Sequence, residues 1–212
     1  MNSPALPKSA SLPSKNKTDK VKVILAGALE VFTTHGYASA SMDRIAAAAN
    51  VSKPTLYRYF QDKEGLFVAL IQQLTATNNQ ILFDLSTEPN SQNPPEKALR
   101  HLATSVLEKF SRNEPLSNLM RLIIGESERF PGLARTFVRE IQKPLLSRLS
   151  SYLAAQPQLH LPDPPVAARI FVGSLVHYLL VQNVMHGSDI VPLERDRMID
   201  GLIHLIMAAD KS

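Results

Sequence analysis

Residues 41–64 decide the fold of the N-terminal part of this chain, and their sequence is SMDRIAAAANVSKPTLYRYFQDKE. Ser41 is a favourable N-cap, and residues 42–49 are mostly strong helix formers. Asn50 tolerates the left-handed conformation that ends a helix, and Ser52 can cap the next one. The stretch therefore predicts two short helices joined by a tight turn.

The second predicted helix has a buried side and an exposed side. Pro54 is compatible with its first turn, where the N–H groups have no partner within the helix. Leu56 and Phe60 are four residues apart and share one face. We expect them to pack inward with Ile45 and Val51, so that the start of this helix stays exposed. Such a division is typical of a helix-turn-helix that places its second helix in the major groove.

The exposed side carries groups that suit DNA. Lys53, Thr55 and Arg44 are candidates for base edges, because they offer hydrogen-bond donors and, in Thr55, a methyl group for thymine. Lys63 stands beside free N–H groups at the start of the next helix, where a phosphate can bind. The predicted DNA contacts are Ser41, Arg44, Ser52, Lys53, Pro54, Thr55, Tyr57, Tyr59 and Lys63. The alternative is a helical hairpin that packs without touching DNA.

The same residues resemble the DNA-binding signature of the TetR family of bacterial transcriptional regulators. The resemblance extends upstream to Gly36 and Tyr37 and covers about 50 of the 212 residues. A second segment, residues 121–135, resembles part of the C-terminal half of the AefR-like branch of that family. The resemblance implies a homodimer that binds a palindromic operator and is released from it by a small-molecule effector. Such a regulator is most often a repressor. The matching residues are Ser41, Ile45, Ala46, Asn50, Val51, Ser52, Lys53, Thr55, Leu56, Tyr57, Tyr59, Phe60, Lys63, Glu64 and Leu66.

Positive charge is concentrated near this motif. Residues 1–61 contain eight Lys and Arg against three Asp and Glu, whereas residues 62–212 contain fifteen against sixteen. Such an asymmetry favours binding of a polyanion at the N-terminal end.

The composition predicts a cytoplasmic protein that forms its own hydrophobic core and has no membrane partner. Hydrophobic residues make up 44% of the chain, and there is no cysteine. Disulfides, thiolate metal sites and cysteine nucleophiles are therefore excluded, which suits a reducing compartment. The most apolar run, residues 170–181, is interrupted by His177 and is too short to cross a bilayer.

Changes in composition predict three parts. Residues 1–17 are expected to be a disordered basic tail, either a solvated leader or an arm that touches DNA. Residues 18–63, beginning with a cap at Thr18, form the helix-turn-helix domain. Residues 64–212 form a helical domain for effector binding and dimerisation. A helix capped by Asp62 and continuing towards residue 82 links the two domains mechanically.

The rest of the chain shows only helical patterns, so we predict an all-α fold of about nine helices. A kink is expected at Pro144, inside the helix over residues 131–155. The last two helices are apolar on more than one face and are expected to pair with a second copy of the chain. The other predicted helices span residues 95–110, 115–129, 166–186 and 193–209.

No arrangement of residues indicates catalysis, a metal site or a cofactor. The six histidines are scattered, and the sequence has no HExxH, GxSxG, P-loop or Rossmann glycine motif. Glu126 and Glu128 are two residues apart and point to different sides of a helix. An enzyme is therefore not predicted, although an all-α enzyme and a helical ligand- or partner-binding module without DNA function remain alternatives.

An effector cavity in the second domain would need a few polar groups among apolar helices. Each candidate has an alternative role as a satisfied core or interface residue. The candidates are His101, Arg121, Glu126, His177, Tyr178 and Gln182.

Overall fold

The computed structural model describes residues 15–83, 94–112 and 114–208, which form helices and short connections without any β-strand. The predicted all-α fold is confirmed. Counting the unbroken run from α7 to α8 as one helix gives nine α-helices in these ranges. The helices are α1 (Lys15–Ser39), α2 (Met42–Ala48), α3 (Lys53–Tyr59), α4 (Lys63–Phe83), α5 (Pro95–Arg112), α6 (Glu114–Glu126), α7 (Pro131–Phe137), α8 (Lys143–Ala154), α9 (Pro164–Leu179) and α10 (Arg195–Ala208).

Helix α1 differs from its prediction at one end and agrees at the other. It begins at Lys15, so Thr18 lies inside the helix and is not its cap. Of the predicted tail, residues 15–17 are helical, and residues 1–14 lie outside the described part. Near the other end, the sequence predicts that the first helix stops at Gly36, and there Gly36 has φ 76° and ψ 160°, which interrupts the regular helix. Glycine is favoured there because other residues rarely adopt this conformation.

A first hydrophobic core joins α1 to α4 with α6 and α7. Phe32, Ile45 and Leu56 are fully buried in it, as predicted for the inward faces of the helix-turn-helix. Phe32, Tyr37 and Phe67 form a cluster of rings with centroids 5.3 to 5.9 Å apart. The same core contains Leu119, Leu122 and Ile123 of α6 and Leu133 of α7. The helix-turn-helix is therefore packed directly on the second group of helices.

A second core joins α5, α8, α9 and α10. Its largest fully buried side chains include Tyr152 and Phe171. Leu99 and Leu102 of α5 and Ile199 of α10 complete the contact between the outer helices of this group. The second domain thus has an interior of its own, beside the core that it shares with the helix-turn-helix.

Two helices of the second domain contain a π turn. Between α7 and α8, residues 138–142 form one, and the Lys143 N–H donates to the Val138 carbonyl five residues back. Pro144 follows directly and has no N–H to donate to residue 140, so a regular α-turn is impossible at this point. The predicted distortion at Pro144 is present as this wider turn. After α9, residues 180–184 form the second π turn.

If the second π turn is counted as the end of α9, the remaining helix ends agree with the predictions to within three residues; α9 itself ends at Leu179, seven residues before the predicted end. The predicted link, α4, extends to Phe83 and so matches its expected length. The loop-forming composition of residues 86–95 predicts a connection at the edge of the second domain, and residues 84–93 lie outside the described residues.

Candidate functional site

Side-chain caps fix both helices of the helix-turn-helix. The Ser41 hydroxyl accepts from the Arg44 N–H at 3.2 Å, and the Ser52 hydroxyl accepts from the Thr55 N–H at 3.3 Å. Asn50 between them adopts φ 49°, the left-handed conformation that the sequence predicted. Each cap satisfies an N–H that the helix itself leaves unpaired. The turn is thus determined by residues within the motif.

Close contact with α1 also positions the motif. A Cβ atom at Gly27 would lie 2.7 Å from the Ala49 backbone nitrogen. Only glycine allows α1 and α2 to approach this closely without displacing the backbone. This glycine has no signal in the sequence, because it lies inside a helix and only its neighbour in space identifies it.

Helix α3 presents most of its predicted DNA contacts to the solvent. Lys53 and Pro54 are exposed, and Tyr57 keeps 45% of its surface exposed, whereas Leu56 on the opposite face is fully buried. The adjoining residues Ser41, Arg44 and Ser52 are also exposed. The structure therefore leaves these six predicted contacts accessible to solvent.

Lys53 forms an ion pair across the turn. Its ammonium lies 2.8 Å from Asp43 Oδ1, and the hydrogen bond with Asp43 raises the pKa of Lys53. Both side chains are exposed. The pair holds Lys53 towards α2, and a base or phosphate must compete with the Asp43 carboxylate for it.

Thr55 and Tyr59 are less exposed than the sequence suggested. The Thr55 hydroxyl is 2.8 Å from that of Ser52, and its side chain is half-buried. The half-buried Tyr59 ring packs on the first core, with the Arg58 guanidinium 5.2 Å from its centre. The ring of Tyr59 therefore supports the domain, and its contact with a phosphate stays a prediction.

Lys63 turns towards the end of α1. Its ammonium donates to the carbonyls of Tyr37 at 2.6 Å and Ala40 at 3.1 Å, and lies 4.3 Å from the centre of the Tyr37 ring. Burial lowers the pKa of Lys63. In this arrangement the lysine satisfies carbonyls that the interrupted helix leaves open. The phosphate contact predicted for it stays a prediction.

Glu126 lies between the two domains. Its Oε1 atom accepts from the Ala38 N–H at 3.5 Å and would be 3.3 Å from a Cβ atom at Gly36. Its charge also raises the pKa of Lys63, opposing the effect of burial. Glu126 thus connects the end of α6 to the segment that leads into the helix-turn-helix.

The second domain contains an apolar cavity of about 140 Å³ with an open mouth. Its walls come from α5, α6, α9 and the run that includes the first π turn. Among the described residues that line it, only Lys109 and Gln142 are polar. The apolar lining residues are Leu102, Val106, Phe110, Leu119, Met120, Phe137, Ile141, Leu145, Phe171, Val172, Leu175, Val176 and Leu179.

None of the six predicted effector-pocket residues lines this cavity. His101 and His177 are exposed on α5 and α9. Tyr178 donates to the Leu193 carbonyl at 3.2 Å, and Gln182 donates to the Val191 carbonyl at 2.8 Å. These two side chains fasten the connection between α9 and α10, so their polar groups serve the structure.

Arg121 and Glu126 border a different, open depression between α1 and α6. The Arg121 guanidinium donates to the carbonyls of Asn183 at 2.8 Å and Val184 at 3.2 Å, at the end of the second π turn. It therefore caps that turn. The polar groups at the apolar cavity, Lys109 and Gln142, were missed because their sequence neighbours do not distinguish them from surface residues.

An apolar surface covers parts of α9, α10 and their connection. Val166 and Ile170 of α9 and Leu205 of α10 are 47%, 56% and 70% exposed. Cβ atoms added at Gly173 and Gly201 would have nothing within 4 Å. In the connection, Met185, Ile190 and Val191 are also exposed.

One described helical stretch, Pro164–Val184, is long and apolar enough to cross a membrane by length and composition alone. It is longer than the run considered in the sequence. Helices that pack inside soluble proteins share these properties, and a third of this stretch is buried within the chain. Separately, the part of the chain that the structure describes contains no group of three or more His, Asp or Glu residues able to hold a metal ion.

Comparison with known families decides the classification. The family "Bacterial regulatory proteins, tetR family" matches residues 24–70, and "AefR-like transcriptional repressor, C-terminal domain" matches residues 97–209, more than half of the chain. The chain belongs to the TetR family. Both resemblances drawn from the sequence are thereby confirmed, including the AefR-like C-terminal domain. TetR-family proteins are DNA-binding transcriptional regulators and not enzymes.

Individual relatives match this chain along nearly its whole length. The uncharacterized HTH-type transcriptional regulator YvkB of Bacillus subtilis is 22% identical over 182 residues, covering 84% of this chain and 90% of YvkB. A structure of a TetR-family regulator from Mesorhizobium loti has a TM-score of 0.73 at 26% identity, covering 90% of this chain and 96% of that one. The flavonoid-responsive regulator FrrA has a TM-score of 0.68 at 29% identity, covering 91% and 97%. This TetR-family chain is therefore a DNA-binding transcriptional regulator.

Proposed function

We propose that this TetR-family protein is a cytoplasmic, ligand-responsive repressor that binds a near-palindromic operator as a homodimer. The observation that carries the proposal is the presentation of α3, with Lys53, Pro54 and Tyr57 exposed above a buried Leu56. Repression and a response to ligands are typical of the family. FrrA, one of its relatives, is named for a response to flavonoids.

The proposed DNA contacts divide into two groups. Lys53, Thr55 and Arg44 lie at the start of α3 and on α2, where side chains of a helix-turn-helix contact base edges. Ser41 and Tyr57 stand beside them and are proposed to bind phosphates, which fix orientation without reading sequence. When DNA binds, the Lys53 ammonium leaves its ion pair with Asp43 and contacts the DNA instead.

The proposed dimer uses the apolar surface on α9 and α10. A second copy of the chain would cover the exposed side chains of Val166, Ile170 and Leu205. The gaps at Gly173 and Gly201 would allow the helices to approach closely. Two recognition helices then meet the duplex about 34–36 Å apart, or at a multiple of that distance. This requirement is why the operator is expected to be a near-palindrome.

Release is proposed to occur through α6 and α4. Helix α6 lines the apolar cavity with Leu119 and Met120 and contacts Ala38, before the helix-turn-helix, through Glu126. A ligand in the cavity that favours a different position of α6 would move the two recognition helices out of register. A tenfold to hundredfold loss of DNA affinity corresponds to about 1.4–2.8 kcal/mol of coupling.

Selection of bound fragments from random duplex DNA tests the DNA-binding part, followed by footprinting of the selected site. We expect a near-palindromic site whose affinity falls steeply with salt. Lys53→Ala should change the preferred sequence, whereas Lys97→Ala, at an exposed position on α5, should not. Absence of binding to any duplex at low ionic strength would contradict the proposal and leave a helical ligand- or partner-binding module.

Sedimentation of the purified protein tests the dimer. Ile170→Glu and Leu205→Glu place charges on the proposed interface and should give monomers, because burying an unpaired carboxylate is costly. Val23→Glu is the matched control, since Val23 is a similarly exposed apolar residue on α1. Equal dissociation by all three variants, or by none, would contradict the proposed interface.

A further inference from the structure

The apolar cavity has a lining that selects for one kind of ligand. Of its fifteen lining residues, thirteen are apolar, and the two polar ones are Lys109 and Gln142. Apolar walls favour an apolar body, because burying it removes hydrophobic surface from water. A few placed polar groups then decide which head group is accepted.

Among the described lining residues, Lys109 alone carries a formal charge. It is on α5, between Val106 and Phe110, which also line the cavity, and its side chain is half-buried. Burial lowers the pKa of Lys109, which reports a loss of hydration around the ammonium. In such surroundings an opposite charge interacts more strongly than it does at a fully exposed lysine.

Gln142 is the last residue of the first π turn, and Phe137 and Ile141 beside it also line the cavity. An amide side chain offers both a donor and an acceptor, so it can bind an oxygen that also faces an ammonium. π turns inside α-helices are frequent at functional sites. Here the turn contributes one of the two polar lining residues.

The volume limits the size of the apolar body. The cavity measures about 140 Å³. An engineered cavity of about 150 Å³ with an apolar lining holds one benzene molecule. A single ring or a short alkyl chain therefore fits the space as it stands, with further atoms extending through the mouth.

We propose that the cavity binds a weak organic acid, with one ring or a short alkyl chain against the apolar walls and a single anionic oxygen group at Lys109 and Gln142. This inference rests on the proposed function, since it assigns a chemical class to the effector of that regulator. The composition of the lining carries this inference. The inference excludes cationic and polyhydroxylated ligands, because neither finds a partner on the apolar walls.

Ligand binding is measured without DNA, by ¹⁹F NMR and isothermal titration calorimetry on the full-length protein. The probes are 4-fluorobenzoate, its neutral near-isostere 4-fluorobenzamide, and 4-fluorotoluene, which has no polar group. We expect 4-fluorobenzoate to bind at least ten times more tightly than 4-fluorobenzamide. Failure of 4-fluorobenzoate to bind, or equal binding of the acid and the amide, would overturn the inference.

Three variants locate the interaction. Lys109→Met keeps the length of the side chain without its charge, so the preference for the acid should fall below threefold and 4-fluorotoluene should bind more tightly. Lys143→Met removes an exposed lysine that is adjacent to Gln142 in sequence and should leave the preference unchanged. Val176→Phe occupies part of the cavity and should weaken all three probes. An acid preference that persists in Lys109→Met would overturn the assignment, whether or not Val176→Phe folds.

Operator binding separates this inference from the proposed function. If the wild-type protein shows the acid preference but keeps its operator when the acid is bound, the cavity assignment stands and the release mechanism fails. If a neutral molecule releases the operator and the acid preference is absent, the proposed function stands and this inference fails.

Discussion

The helix-turn-helix and the apolar cavity are determined in opposite ways. Ser41 and Ser52 cap helices that begin at the next residue, and Asn50 turns the chain between them. The cavity instead depends on side chains from residues more than seventy positions apart, from Leu102 to Leu179. The helix-turn-helix is thus encoded locally, whereas the apolar cavity is encoded by the packing of several helices. A change near the motif should act directly, and a change at the cavity should act through its neighbours.

The largest expected effect is the loss of stability when an aromatic ring is removed from each of the two regions. Phe32→Ala removes a fully buried ring from the first core and should lower the free energy of unfolding by about 3–5 kcal/mol. Phe110→Ala removes a half-buried ring from the cavity wall, where it packs on the second core, and should cost no more than about half of that, since part of its surface has no packing partner. Chemical denaturation measures both. Equal costs would show that the cavity wall is as tightly packed as the first core.

The next effect tests the close contact between α1 and α2. Gly27→Val should destabilise the protein by about 1–3 kcal/mol, because its Cβ would overlap the Ala49 backbone. Gly125→Ala is the matched control. A Cβ there has nothing within 4 Å, so the better helix propensity of alanine should stabilise the protein by up to about 1 kcal/mol. A neutral Gly27→Val would mean that the motif tolerates movement of α1.

A third variant separates the two roles considered for Lys63. Lys63→Met removes the donor to the Tyr37 and Ala40 carbonyls and should lower the free energy of unfolding by about 1–2 kcal/mol. The phosphate contact predicted from the sequence also requires the slope of log K against log salt for operator binding to flatten by about one. An unchanged slope would show that Lys63 has the structural role alone.

The smallest effect on stability is expected at the DNA-binding surface itself. Lys53→Met should change the free energy of unfolding by less than about 0.5 kcal/mol, the usual range for surface substitutions. It should nevertheless alter the preferred operator sequence, which binding assays on a set of single-base variants would reveal. A large loss of stability with an unchanged preference for operator sequence would contradict the contrast drawn between the two regions.

The sequence predicts the helix-turn-helix well because its signals are local. The caps at Ser41 and Ser52, the left-handed Asn50, the cap at Asp62 and the interruption at Gly36 all follow from single residue types. The beginning of α1 was predicted less well, since Thr18 is a good cap that the chain does not use. Helix propensity of the preceding lysines carries the helix past it.

The candidate ligand site could not be predicted because its polar residues have no sequence signature. Lys109 resembles any surface lysine near the end of a helix, and Gln142 lies in a π turn that only Pro144 suggests. The residues selected from the sequence, such as Tyr178 and Gln182, are polar groups on apolar helices that bind backbone carbonyls of the neighbouring connection. A pattern along one helix does not show which neighbour each face will meet.

The core around Phe32 and Phe67 is completed by Leu119 and Leu122 of α6 and Leu133 of α7. A fragment cut after residue 83 would leave those contacts empty and expose a broad apolar area to water. The operator-binding half is consequently not a transferable module. Fusing residues 1–83 to an unrelated dimerisation domain would yield a polypeptide prone to aggregation, whereas exchanging only the exposed face of α3 would leave the scaffold intact.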